Sequence, residues 1–203
     1  MAGILLLLNA QTSLAGSLHA DAGVTSDYVW RGLTQTNGRP AVQGGLEYVT
    51  GSTWYFGAWV SNTSYGENGQ NSPEVDYYVG MTGKGNSTAY DIGMINYTYP
   101  ESSGDGFTEL YFSFILEKYS FKYSTSSDVG TYVEANTTYK LSIRQDTVLK
   151  FHVGNYQLNH GSDYVDANVT LTISEFSLSV SKTTVSSLHN EGIKTFVSWN
   201  RSF

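Results

Sequence analysis

From Ser17 onward, apolar and polar side chains alternate over stretches of about ten residues, and turn residues break the alternation. In "SDYVDANVTLTI", Val165, Ala167, Val169, Leu171 and Ile173 alternate with Tyr164, Asp166, Asn168, Thr170 and Thr172. In "EVDYYVGM", Val75, Tyr77, Val79 and Met81 alternate with Glu74, Asp76, Tyr78 and Gly80. "EFSLSVSK" sets Phe176, Leu178 and Val180 against serines. This period of two predicts strands over 17–31, 40–50, 53–63, 74–84, 87–99, 107–116, 118–126, 131–141, 145–156, 163–173, 175–184 and 192–203.

The connections between these twelve strands alternate in length. Gly51-Ser52, Lys84–Asn86, Glu117-Lys118, Ser142–Arg144 and Ser174-Glu175 are short, whereas Leu33–Arg39, Ser64–Pro73, Pro100–Gly106, Ser127–Gly130, Gln157–Ser162 and Val185–Glu191 alternate with them and are mostly longer. Tight turns at one end and longer loops at the other predict an all-β, antiparallel up-and-down transmembrane β-barrel. An even strand number puts both termini at the tight-turn, periplasmic end. One face of each strand is nearly free of charge (Leu110, Phe112, Phe114 and Leu116; Leu149, Phe151 and Val153), and the opposite face collects the acids and bases. A barrel in lipid turns the first face outward and the second to a lumen. Twelve strands enclose more space than aliphatic side chains fill, which favours a polar lumen.

The segment "SDYVWRGLTQTNGRPAVQGG" (Ser26–Gly45) reads as the first hairpin of this barrel. Tyr28 and Trp30 are expected to end the first strand at the outer interface. Asp27 is expected to project inward, with Arg31 placed to pair with an acid at the rim. Asn37-Gly38 supplies positive φ values, and Pro40 opens the next strand where a missing N–H costs least. Gly44-Gly45 offers room for a bend or for the lumen.

Composition agrees with this picture and narrows it. The 203 residues include 16 Tyr and 21 Gly but only 3 Pro and 14% charged side chains, a strand-favouring mixture. There is no Cys, which excludes disulfides, thiolate metal sites and Cys nucleophiles. The net charge of −7 comes without a basic run, which argues against a nucleic-acid partner. The start differs from the rest: Ile4–Leu8 is an apolar run, and Ser13-Leu14-Ala15 has small residues where a leader peptidase cuts. Residues 1–15 are therefore expected to be the remnant of a signal peptide and 16–203 a single barrel. No run of 18 apolar residues occurs, so a membrane-spanning helix is not expected.

The chain end, "GIKTFVSWNRSF", carries Ile193, Val197, Trp199 and Phe203 on one face. Trp199 and Phe203 are expected to form the strand-end signal read by the outer-membrane assembly machinery, with Arg201 reaching to the interface. The ordered blocks "TSDYVWRGLTQTNGRPAVQGGLEY", "WYFGAWVSNTSYG", "PEVDYYVGMTG" and "YDIGMINYTYP" resemble the TorF-like porin family of proteobacteria, and "YVEANTTYKL", "LKFHVGNY" and "SWNRSF" extend the likeness to the end. The resemblance implies an outer-membrane barrel with a pore role.

The strand faces put Asp21, Asp27, Glu47, Glu74, Asp76, Asp91 and Glu109 on the lumen side of the first six strands. Lys122, Lys140, Lys150, His152 and Lys194 face them from the last six, joined by Glu134 and Asp166. Such patches set ion selectivity in pores, and the excess of acids predicts a weak cation preference. The competing reading is a closed lumen in which these groups pair with one another and with Tyr hydroxyls. A passive channel for small polar solutes or ions is the first functional expectation. The second is a plugged structural barrel that binds another envelope component. Its surroundings would be outer-membrane lipid and lipopolysaccharide, with a second copy or an envelope protein as partner.

Other chemistry is weaker. His152 and His160 near Ser162 could serve acyl transfer, but the spacing is nonspecific. His19, His152, His160 and His189 lack metal-ligand spacing, so no metal or other cofactor is expected. Asp76 and Asp91 could be a glycosidase pair, yet they sit among many acids, and no enzyme activity is expected. The Asn-x-Ser/Thr sequences at Asn62, Asn86, Asn96, Asn136 and Asn168 follow from composition. Trp30, Trp54, Trp59 and Trp199, with Tyr48, Tyr97, Tyr99, Tyr139 and Tyr156, are expected in two interfacial girdles; a sugar-binding platform would use similar residues.

Overall fold

In the computed structural model the chain forms a closed antiparallel barrel of twelve strands, with a separate two-stranded hairpin folded into its interior. The structure describes residues 16–51, 53–65, 70–100, 106–142, 146–186, 190 and 192–203. The leader expected over 1–15, His189, and parts of several predicted connections, Ser52 and Arg144 among them, lie outside the described residues.

The barrel strands are β1 (Ser17–Thr25), β4 (Ala41–Thr50), β5 (Trp54–Tyr65), β6 (Gln70–Lys84), β7 (Thr88–Thr98), β8 (Phe107–Leu116), β9 (Tyr119–Ser126), β10 (Gly130–Lys140), β11 (Thr147–Leu158), β12 (Tyr164–Ile173), β13 (Phe176–Thr183) and β14 (Ile193–Ser202). Each pairs with its neighbour in the chain, and β1 closes the ring on β14, with Asp21 opposite Ser202 and Thr25 opposite Ser198. Full closure leaves no free sheet edge. The described residues contain no helix.

Tight reversals use the left-handed region where they must. Glu117 and Ser174 have φ of 52° and 55° at the two shortest turns, and Gly51 has φ of 56°. The start of β1 at Ser17 and the end of β14 at Ser202 lie at this tight-turn end. Because the side-chain period is two, the register fixes the faces. Leu110, Phe112 and Phe114 of β8, Phe151 and Val153 of β11, and Leu178 and Val180 of β13 are exposed on the outside of the ring. Large tyrosines, acids and hydroxyl side chains fill the inside, with Tyr55, Tyr97, Tyr132 and Tyr156 fully buried. The polarity is thus inverted relative to a water-soluble barrel, as in membrane-type barrels.

The first strand is shorter than predicted, and the reason matters for the site. β1 stops at Thr25, and the chain turns inward as a hairpin of β2 (Val29–Trp30) and β3 (Leu33–Thr34). Arg31 and Gly32 form its two-residue turn with φ of 47° and 78°, the positive pair that a type I′ hairpin needs. Asp27 holds the base: its Oδ1 accepts hydrogen bonds from the hydroxyls of Thr34 (2.5 Å) and Thr36 (3.1 Å). The Tyr28 carbonyl accepts from the Gln35 N–H at 2.6 Å, and the Gln35 carbonyl accepts from Ser64 N–H at 2.8 Å, tying the hairpin to β5. Asn37 and Gly38, at φ of 54° and 73°, then return the chain to the barrel wall.

Candidate functional site

The hairpin crosses the lumen from the β1–β4 side to the opposite wall. At its tip the Arg31 guanidinium donates two hydrogen bonds to Glu109 of β8, Nη1 to Oε1 at 2.6 Å and Nη2 to Oε2 at 2.8 Å. The Arg31 and Glu109 side chains are 7% and 2% exposed. The guanidinium carbon lies 4.4, 4.1 and 4.8 Å from the ring centres of Trp30, Tyr132 and Tyr156. A planar cation bonded at its edge and stacked on its faces is the arrangement Arg satisfies and Lys does not. Trp30 packs edge-on against Tyr97 of β7 and Tyr156 of β11, and Tyr28 against Trp59 of β5. A Cβ on Gly32 would collide with the Cβ of Asp166, so only glycine lets the turn approach β12 so closely.

Beneath the tip lies a second network. His152 Nε2 is 3.0 Å from Asp166 Oδ1 and 3.0 Å from the Tyr132 hydroxyl, while its Nδ1 is 2.8 Å from Asn136 Oδ1. Tyr132 donates to Asp166 Oδ2 at 2.8 Å, and Asn136 donates to Glu134 Oε1 at 3.1 Å. A Cβ at Gly154 would overlap the Tyr132 hydroxyl; its absence lets that ring lie across the strand to Asp166. On the facing wall, Tyr55 bonds Asp91 Oδ1 at 2.6 Å and the Tyr111 hydroxyl. Lys122 extends its ammonium over the Tyr111 ring at 4.1 Å.

Exposure of the inward side chains changes along the barrel axis. At the hairpin level Glu74, Asp76, Glu109 and Asp166 are buried, as are Gln35 and Thr36 of the hairpin itself. At the tight-turn end the inward residues His19, Asp21, Lys140 and Asn200 are exposed. Exposed side chains thus ring a vestibule at the tight-turn end, although the inward Tyr55 and Thr82 just inside that end are buried, as are Glu74, Asp76, Glu109 and Asp166 at the hairpin level.

Residues 9–200 match the family described as "Bacterial protein of unknown function (Gcw_chp)". The chain belongs to the Gcw_chp family. No curated protein matches it. Among solved structures, the Gcw_chp chain is similar to one described as "Unveiling the Mechanism Behind the in-meso Crystallization of Membrane Proteins", with TM-score 0.56 and 7% identity over 91% of this chain and 83% of that one. At that identity the likeness is one of fold.

The register of the Gcw_chp barrel places the candidate residues as follows. Asp21, Glu47, Glu74, Asp76, Asp91 and Glu109 share the inward face across β1 and β4–β8. Lys122, Glu134, Lys140, Lys150, His152, Asp166 and Lys194 share it across β9–β12 and β14. Asp27 is instead at the base of the hairpin, where it holds threonine hydroxyls. Trp199 and Phe203 are on the outside at the tight-turn end, with Trp199 Nε1 donating to Glu175 Oε2 at 2.8 Å.

Several expectations are corrected. Trp30 does not cap a strand at the outer interface, and Tyr28 is buried; both belong to the lumen hairpin. Arg31 pairs deep in the lumen rather than at the rim. Trp59, Tyr97, Tyr99 and Tyr156 also stand on the inward face, because they share parity with the lumen acids; Tyr99 donates to Glu74 Oε1 at 3.1 Å. Trp54, Tyr48, Tyr139 and Trp199 do lie outside, all near the tight-turn rim, where Tyr90, Tyr119 and Phe176 join them. His152 is held inside the lumen, whereas His160 and Ser162 are exposed in the β11–β12 connection, so the acyl-transfer arrangement does not assemble. Asp91 pairs with Thr82, six positions from Asp76 along β6, roughly 20 Å at the rise of a strand and too far for the two carboxylates of a glycosidase. Among the described residues no three His, Asp or Glu side chains gather around a common point for a metal.

Sequence reasoning missed Arg31, Tyr132, Tyr55 and Tyr111 as lumen residues. The tyrosines were available from parity: Tyr111 stands two positions from Glu109, and Tyr132 two from Glu134. For Arg31 the signal was the Arg-Gly pair at the end of an alternating run.

Proposed function

We propose that this chain is an outer-membrane β-barrel that acts as a narrow, gated pore for small polar solutes and cations, with the Arg31 hairpin as its gate. The observation that carries the reading is the Arg31–Glu109 pair at the tip of a hairpin that spans an otherwise polar lumen. Below it, the exposed Asp21 and half-buried Glu47 and Asp91 give the vestibule an acidic arc, which attracts cations and repels anions. The plug is held mainly by polar contacts and aromatic stacking, so it can leave the wall without unravelling the strand ladder. In this reading the tight turns, the start of β1 and the end of β14 face the periplasm, residues 1–15 are the leader remnant, and the likeness to TorF-like porins extends to a diffusion role.

Planar-bilayer recording tests it. The wild-type barrel is expected to conduct in rare, small openings, and a variant with residues 29–34 replaced by a Gly-Ser linker to conduct steadily. Absence of current from the hairpin-deleted barrel, in a preparation that is folded and heat-modifiable, overturns the pore reading. The same outcome favours the second reading, a permanently plugged barrel that binds another envelope component, which the depth of the Arg31–Glu109 pair supports.

A further inference from the structure

The outer surface carries a feature that the lumen does not explain. Along β10 the outward residues Ala135 and Thr137 are small, whereas the flanking strands present Tyr119 and Phe121 on one side and Phe151 and Val153 on the other. The result is a groove of about 250 Å³ with an apolar lining. It runs along the strand direction from the tight-turn rim toward the middle of the barrel. At its rim end Lys118, in the turn between β8 and β9, holds its ammonium 5.3 Å from the Tyr119 ring centre and 4.5 Å from that of Tyr139. Tyr139 in turn packs edge-on against Phe151, 6.1 Å away. Among the described residues no carboxylate lies within ion-pair distance of Lys118.

We propose that this groove is a binding site for one anionic glycerophospholipid, its phosphate on Lys118 and the first part of an acyl chain along Ala135 and Thr137. The inference rests on the membrane-barrel reading above but not on the pore. A surface rich in Phe, Leu and Val alone meets lipid tails without preference. Here a channel one side chain deep, aromatic on both walls, ends at a fixed cation on the side where headgroups lie. Burying a chain in the groove removes it from competition with freely moving lipid only if the headgroup is held as well, and Lys118 supplies that second contact. Two positions along the strand, from Tyr119 to Phe121, span roughly 7 Å, so the groove takes the segment of chain nearest the head. A lysine held over two tyrosine rings is also restricted in its motion, so less freedom is lost when it meets a phosphate.

Native mass spectrometry of the full chain, released from nanodiscs made of equal parts phosphatidylglycerol and phosphatidylethanolamine, tests the site. The wild type is expected to retain one phosphatidylglycerol, at least about threefold over phosphatidylethanolamine. Lys118→Gln is expected to abolish the headgroup preference, and Ala135→Phe, which fills the groove, to remove the retained lipid altogether. Ala135→Leu serves if the phenylalanine variant does not reach the heat-modifiable folded form. Equal retention by the wild type and a folded groove-filled variant overturns the proposal, as does a wild type with no preference between the two lipids. A chain that fails to insert into vesicles at all refutes the membrane reading instead, and the two failures are therefore distinct.

Discussion

Arg31 and Glu109 meet across the lumen through two hydrogen bonds of 2.6 and 2.8 Å, although 78 positions separate them in the chain. One residue is the tip of a hairpin and the other a fixed point on the wall, so the pair ties the hairpin to β8. Removing one partner of a buried ion pair strands the other charge, at a cost on the order of 3–5 kcal/mol. Here the stranded group can escape to water by swinging the hairpin out, which makes release cheaper than global unfolding.

Glu109→Gln should therefore free the hairpin while leaving the barrel intact. Trypsin cuts after arginine, and Arg31 is buried in the wild type. Cleavage between Arg31 and Gly32 is expected to accelerate about tenfold or more in the variant, since each 1.4 kcal/mol of hairpin release is a factor of ten in the cleavable population. Unchanged cleavage at that bond, with heat-modifiability preserved, would show that stacking on Tyr132 and Tyr156 alone holds the plug.

Gly32→Ala attacks the same closure by sterics. At φ of 78° a side chain is strained, by roughly 1–2 kcal/mol for the left-handed region, and its Cβ would also overlap Asp166. The hairpin is expected to lose its seat on β12, giving trypsin sensitivity comparable to that of Glu109→Gln. Asn37→Gly, at the outer turn with φ of 54°, is expected to leave cleavage unchanged because Gly accepts that conformation freely.

The barrel wall was legible because period two is a strict rule: once Glu109 is placed inward, Leu110 must face out and Tyr111 in. Strand number, closure and the split between acidic and basic arcs follow from that rule and from the turn residues. The hairpin was not legible in the same way. Val29 and Trp30 continue the alternation of β1, and only Ser26 marks the break, its hydroxyl accepting a hydrogen bond from the Val197 N–H at 3.0 Å. That bond joins residues 171 positions apart in the chain, and no local pattern reports it. The inward turn depends on a distant acid, Glu109, and on a distant glycine, Gly154, which makes room for Tyr132. Such long-range pairing overrides a local preference for an extended strand.

Tyr132→Phe separates the network beneath the plug from the plug itself. The change removes the hydroxyl that bonds Asp166 at 2.8 Å and lies 3.0 Å from His152, yet keeps the ring beneath Arg31. Leaving the buried Asp166 oxygen without its donor costs about 1–3 kcal/mol. Equilibrium unfolding in urea with lipid vesicles is expected to show that loss of stability, while trypsin cleavage at Arg31 changes less than about twofold. A matching rise in cleavage would mean that the two layers act as one unit.

Deleting Phe203 tests the strand-end signal. Its side chain is 71% exposed on the outside of the barrel; its backbone N–H donates to the Ala20 carbonyl at 2.9 Å and its carbonyl accepts from the Ala20 N–H at 3.4 Å, so its loss removes two strand-end hydrogen bonds and no core packing. The expected outcome is spontaneous folding into vesicles at nearly the wild-type yield, with a several-fold drop in outer-membrane assembly in cells. Equal defects in both assays would assign Phe203 to stability instead of recognition.

Ion selectivity should follow exposure more than acidity. Glu74, Asp76, Glu109 and Asp166 are the most deeply buried lumen acids, and Glu109 is already paired with Arg31. Asp21 is exposed in the vestibule and Glu47 is half-buried there, where water and entering ions meet them. In the hairpin-deleted barrel, Asp21→Asn with Glu47→Gln is expected to reduce the cation-to-anion permeability ratio by roughly twofold or more, read from the reversal potential in a salt gradient. Because screening weakens exposed charges, the difference should shrink as the salt rises toward 1 M, where the Debye length is about 3 Å. Glu74→Gln with Asp76→Asn should change the ratio less in the plugged wild type, where the hairpin covers them, than in the deleted form. A ratio that responds equally in both forms would place the conducting path outside the hairpin and remove the hairpin's role as gate.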